Sequence, residues 1–156
     1  MVPPHLIVRF DGFAVESLLE DWRWLVPTSH APILMTALGD LFLLDDVGRV
    51  HFLDMIGGEM KLVASSRNEF EQKCESREHR QNWFIGSLVL ELQKRHGQLA
   101  MGQCFSCKVP LSLGGQLDTE NFEPCDIHVH CSVLGQIHRQ TKGLPPGTII
   151  RKVSIE

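Results

Sequence analysis

The sequence predicts an α+β domain: an antiparallel sheet, made of a meander plus C-terminal strands, with helices packed on one side. Three observations predict it. Apolar runs at 41–44, 49–54 and 60–64 are separated by Asp45-Asp46-Val47-Gly48 and by Gly57-Gly58, and turns that short impose antiparallel pairing. Segments with apolar residues at steps of three and four lie before and after the meander, as amphipathic helices require. Strand-like character returns after Gly97. At 156 residues the chain reads as a single domain, 1–156, large enough to bury a core without staples.

In chain order, Leu6 to Phe10 is a short apolar run in a lead-in. Val15, Leu18, Leu19, Trp22 and Leu25 mark one face of a helix over 14–25 that Pro27 stops. Trp22 reads as core and not as a partner contact. Ile33 to Leu38 is a further apolar segment before the meander. Ser66-Arg67-Asn68-Glu69 has capping-box form, so a helix begins at Arg67, with Phe70 and Cys74 as its apolar face. A longer helix is expected from Arg80 to Arg95, with basic residues in its last turn and Gly97 as a left-handed cap. Gln103 to Val109 reads as a strand, followed by a turn at Gly114-Gly115.

The segment from Cys125 to Val133 alternates: Cys125, Ile127, Val129, Cys131 and Val133 against Asp126, His128, His130 and Ser132. Period two predicts a half-buried strand, with Gly135 as a hairpin turn or bulge. Leu144-Pro145-Pro146-Gly147-Thr148 closes the segment.

A hydrophobic content of 43%, 22% charged residues and a net charge of −4 are ordinary for a soluble globular protein. That balance argues against direct nucleic-acid binding, which favours a basic stripe, and fits a partner with a positive surface. Neither a basic-then-apolar leader nor an apolar run of membrane-spanning length is present. The expectation is therefore cytoplasmic residence, five free thiols and no membrane association.

Two constellations could carry chemistry. Cys104-x-x-Cys107 and Cys125-x-x-His128 match the two-pair spacing of zinc ribbons. A zinc-binding protein, either a ribbon-type module or a metal-dependent hydrolase, is thus the alternative reading. Strand parity sends Cys125 and His128 to opposite faces, however, so no metal or other cofactor is expected. His128 and His130, with His138 nearby and Asp126 as orienter, could form a three-histidine site; without a convergent base they read as sheet-surface residues. Thiol–imidazole pairs are inevitable by chance with five cysteines and eight histidines. Gly57-Gly58 and Gly114-Gly115 lack the Lys-Ser or Lys-Thr of a phosphate loop. No enzyme is expected.

Gln136, His138, Arg139 and Gln140 form a polar knot. They serve either as a recognition surface or, by preference, as anchors tying the sheet to the 144–148 loop through backbone hydrogen bonds. Asp40, Asp45, Asp46, Asp54 and Glu59 cluster at the ends and turns of the meander, with Arg49 and Lys61 among them. They are the candidates for a surface that meets a basic partner.

The segments GDLFLLDDVGRVHFLD at 39–54, SSRNEF at 65–70, GQCFSCKVPLSLGG at 102–115 and HVHCSVLGQIHRQTKGLPPGT at 128–148 follow one another in a familiar order. Together they resemble the C-terminal domain of the immunity proteins that protect bacteria from their own type VI secretion DNase effectors. In that family this domain commonly follows a GAD-like one; the length of this chain leads to the expectation that it lacks room for a full separate N-terminal domain. The resemblance covers about 19–150. It implies a non-enzymatic inhibitor that binds a cognate toxin in the producing cell. Phe105 stands where an aromatic that is often tyrosine is expected, and Cys107 and Cys125 look like this chain's own additions.

Overall fold

The computed structural model describes residues 2–156. Strands β1 (Ile7–Val8), β2 (Ala31–Thr36), β3 (Leu41–Leu44), β4 (Val50–Asp54) and β5 (Glu59–Ala64) form one antiparallel sheet in sequence order. Strands β6 (Gln103–Cys107) and β7 (Phe122–Asp126) pair antiparallel as a second, two-stranded sheet. The helices are α1 (Val15–Leu19), α2 (Arg67–Cys74), α3 (Arg77–Phe84), α4 (Gly86–His96) and α5 (Ile127–Thr141). The α+β class and the meander are as the sequence predicts; β1, inside the apolar lead-in, adds an edge strand.

Helices cover both faces of the sheet rather than one. The reason lies in Leu41-Phe42-Leu43, which is apolar on both sides of the pleat. Phe42 and Phe52 face a cluster completed by Phe70 of α2, Phe84 of α3 and Val89 and Leu92 of α4. Phe42 lies 4.8 Å from Phe52 and 4.6 Å from Phe70, ring centre to ring centre, and such pairs contribute about 0.5–1.5 kcal/mol beyond burial. On the opposite face Leu41, Leu43 and Leu53 pack with Leu18 and Leu19 of α1, Trp22, and Ile127, Cys131 and Leu134 of α5.

Helix α1 continues as a 3-10 turn over Glu20–Trp22, and Trp22 is fully buried. Helix α2 begins at Arg67, as the capping box predicts: the Ser66 hydroxyl accepts from the Glu69 amide. The single helix expected from Arg80 to Arg95 is instead two. Ile85, at φ 47° and ψ 55°, is left-handed and separates α3 from α4. That conformation costs a β-branched residue about 1–2 kcal/mol. It lets Phe84 and Val89, at the two sides of the break, both reach full burial.

The largest correction concerns residues 125–133. The strand ends at Asp126, and Ile127 opens a fifteen-residue helix. The Asp126 carboxylate accepts from the Val129 amide at 3.0 Å, an N-cap. Buried positions Ile127, His130, Cys131, Leu134, Ile137 and His138 step by three and one, which is a helical face. Ile127 and Cys131 belong to both periodicities, so the alternation was coincidental; Val129, which it placed in the core, is 50% exposed. Gly135 is neither turn nor bulge. It lies mid-helix where a Cβ would stand 2.6 Å from the Asp21 carbonyl oxygen. Only glycine lets α5 approach that backbone, and the Trp24 indole N–H donates to the Gly135 carbonyl at 3.2 Å.

Candidate functional site

The helical course of α5 redistributes every histidine of the three-histidine set weighed from the sequence. His128 is exposed on the first turn. His130 is buried: its Nε2–H donates to the Gly39 carbonyl at 3.2 Å, and its Nδ1 lies 2.7 Å from the Ser106 hydroxyl. One neutral tautomer satisfies both contacts, with the serine donating. Burial holds this imidazole down to a pKa of about 4, against the opposing bond to Gly39. His138, also buried, donates from Nε2 to the Met55 carbonyl at 2.9 Å; burial lowers its pKa as well. These are sheet-to-helix clasps, not sheet-surface residues. Asp126, the possible orienter of such a site, is the cap of α5.

The ribbon-like quartet does not converge. Cys104 lies opposite Cys125 across β6 and β7, Cys107 lies opposite Phe122 at the end of the ladder, and His128 is on the helix beyond. Among the described residues, no three of these ligand atoms gather within 4.8 Å of one another. All five cysteines are free thiols. Burial raises the pKa of Cys104 and Cys131 well above the ordinary thiol value, and that of Cys74 to about 11. Such thiols are poor nucleophiles and poor ligands.

In the polar knot, the Gln136 side chain is buried and bonds both the amide and the carbonyl of Glu156, at 2.6 and 3.2 Å. Gln140 bonds the Ser154 backbone in the same two-sided manner. Arg139 is exposed. The partners are therefore the C-terminal tail and the turn before β5, not the 144–148 loop.

Hairpin geometry divides the acidic set between opposite ends of the meander. Asp40, Asp54 and Glu59 lie at the end formed by the β2–β3 and β4–β5 turns; Asp45 and Asp46 lie at the β3–β4 turn. Asp40 is 3% exposed and Asp45 5%, so neither presents its carboxylate to a partner. Asp40 accepts from the Met55 amide at 2.8 Å. Burial, then the neighbouring Asp54 charge, push its pKa well above the usual carboxylate value. At Asp45 burial works in the same direction but loses to hydrogen bonds. His51, the Arg49 amide and guanidinium, and the Val47 amide hold its carboxyl below the usual range. Asp54 is half-buried and accepts from the Gly57 amide at 2.7 Å. Asp46 and Glu59 are exposed, the latter paired with Lys61 at 3.3 Å.

His30 and His51 were missed by sequence reasoning. They lie beside Asp45, with ring centres 4.6 Å apart. The signal was available in the register: Ala31 pairs with Leu44 and Leu44 with Val50, which places residues 30, 45 and 49 in one row.

Part of this α+β domain is similar to the C-terminal domains of type VI secretion immunity proteins. Residues 64–138, from the end of β5 through most of α5, match the family model described as "T6SS immunity protein Tdi1, C-terminal". This is the family that the sequence resembles. The fold is similar to that in the crystal structure of Atu4351 from Agrobacterium tumefaciens, with a TM-score of 0.52 and 22% identity. That similarity covers 78% of this chain and 61% of the other, so the chain spans about three fifths of that protein. No curated protein matches the chain. Among the described residues no helix is long and apolar enough to cross a membrane.

Proposed function

We propose that the chain binds and neutralises a cognate type VI effector toxin, a DNase by family resemblance, in the cytoplasm of the cell that makes both. It acts by occupying or distorting the toxin and makes or breaks no bond itself. The observation that carries this reading is the family match over residues 64–138. The charge of −4 supports it, since nucleases that bind polyanionic DNA present basic surfaces. Among the acidic residues of the meander, Asp46 and Glu59 are the contacts free to reach a partner, with Asp54 beside Glu59. Asp40 and Asp45 contribute by fixing the shape of the turns.

The test mixes the purified chain with the effector encoded beside its gene. The expected result is co-elution as a complex and loss of DNA cleavage. Separate elution with cleavage undiminished would overturn the reading. Because the two ends of the meander are distinct surfaces, Asp46→Lys and Glu59→Lys report on them separately. A reversal at a contacting end slows association, and more so at low salt.

A further inference from the structure

His30, Asp45 and His51 come from three separate places in the chain: the loop before β2, the β3–β4 turn and strand β4. The register explains their meeting. His30 and Asp45 are neighbours across β2 and β3, while Arg49 and His51, two residues apart on β4, share a face beside them. One ligand atom from each of the three lies within 4.8 Å of the others. His51 Nε2 is 2.9 Å from Asp45 Oδ2. Two ligands bound to one ion at about 2.0–2.1 Å stand roughly 2.9–3.4 Å apart, so this pair needs almost no movement to share a metal. The corner is sheltered: the Asp45 side chain is 1% exposed and that of His51 13%.

We infer that His30, Asp45 and His51 form a binding site for a divalent transition-metal ion of the zinc, cobalt or nickel type. Two imidazoles and one carboxylate select this class over calcium or magnesium, which prefer all-oxygen shells. Water completes the coordination. Asp46, close by, adds negative charge to the corner. One group competes: Arg49 Nε donates to Asp45 Oδ2 at 2.8 Å. The guanidinium must withdraw for the ion to enter, and the Arg49 side chain, half exposed, has room to do so. The ion would tie the loop before β2 to the β3–β4 turn, and binding to the folded state alone raises the melting temperature.

The test uses the full chain with its thiols reduced, titrated with Co2+ and followed by visible absorption, then with Zn2+ by calorimetry and thermal melting. One equivalent should bind, with the d–d bands of nitrogen and oxygen ligation and a rise in Tm. His30→Ala and His51→Ala should each lose that binding, with metal-free melting checked to show that both variants fold. Arg49→Gln should bind more tightly, because the competing cation is gone, an outcome that a merely structural cluster does not produce. The inference is overturned by absence of binding, or by binding unchanged in both histidine variants. A sulfur-to-cobalt charge-transfer band, placing the ion on the cysteines, would also overturn it. None of these readouts depends on the toxin.

Discussion

The two ends of the meander are held by opposite means. At one end, the turns between β2 and β3 and between β4 and β5 are clasped by α5. His130 bonds Gly39, 91 residues away in sequence, and His138 bonds Met55, 83 residues away. At the other end, the β3–β4 turn is held by Asp45 through partners no more than six residues away. The first end is held in part by side chains that only α5 brings to it. The second is set by its own hairpin. Changes at the clasped end should therefore propagate into the core, while those at the local end should stay at the surface.

The sharpest test of that contrast pairs two glycines of similar conformation. Gly39 and Gly48 have φ of 85° and 87°. A Cβ on Gly39 collides with the His130 ring, whereas one on Gly48 meets nothing within 4 Å. Gly48→Ala should cost only the left-handed penalty, about 1–2 kcal/mol. Gly39→Ala adds displacement of a buried ring, for a total of roughly 2–5 kcal/mol. Urea unfolding measures both, and equal losses would break the comparison.

His130→Gln tests the clasp itself. Removing the imidazole leaves the buried Gly39 carbonyl and Ser106 hydroxyl short of a partner and opens a small void, for a loss of about 2–4 kcal/mol. The pH dependence is more specific. The folded-state pKa of His130, about 4, lies below its ordinary value of 6.5. As pH falls from 6.5 to about 4 the unfolded chain takes up a proton that the folded chain refuses. Stability therefore drops by up to about 1.4 kcal/mol per pH unit and levels off below that window. Asp40 acts in the opposite sense, because its raised pKa lets the folded state take a proton first. The gap between wild type and His130→Gln should narrow on acidification, since His138, His30 and Asp40 remain in both proteins. A gap independent of pH would mean that residue 130 does not titrate as described.

Gly135→Ala probes the seat of α5. Alanine favours helix by about 1 kcal/mol over glycine, but its Cβ would press on the Asp21 backbone, which cannot swing aside as a side chain can. The collision should win, leaving a net loss of about 1–3 kcal/mol by thermal or urea unfolding. A stabilised variant would show that the contact yields.

The same contrast explains what was legible in the sequence. The meander is local: Asp45-Asp46-Val47-Gly48 and Gly57-Gly58 announce their turns and so fix the antiparallel pairing. Ser66 and Glu69 likewise announce α2. What depends on distant contacts was misread. Ile127 and Cys131 fit both a period of two and a period of 3.6, and the deciding fact is that Trp22, whose indole N–H donates to the Cys131 carbonyl at 2.8 Å, waits 109 residues upstream. Gly135 reads as a turn or a bulge because the backbone it approaches, at Asp21, is remote. Ile85 carries no signal for its left-handed conformation, which is set by the packing on either side. Burial of Asp40 and Asp45 was equally hidden, since a carboxylate in a turn reads as wet until its donors are placed around it.

The smallest effect on stability belongs to the exposed rim of the local end. Asp46 is exposed and adjoins Val47, itself 69% exposed. Asp46→Lys should change unfolding free energy by no more than about 0.5 kcal/mol, because the turn is held by Asp45 and not by its neighbour. If this end meets the toxin, the same substitution should slow association several-fold at low salt with little change in dissociation, as expected for a charge at the rim of an interface. Stopped-flow mixing against the effector at two salt concentrations reads this directly. An unchanged rate for Asp46→Lys together with a slowed one for Glu59→Lys would move the contact to the end clasped by α5. Recognition would then depend on the long-range contacts that shape that end.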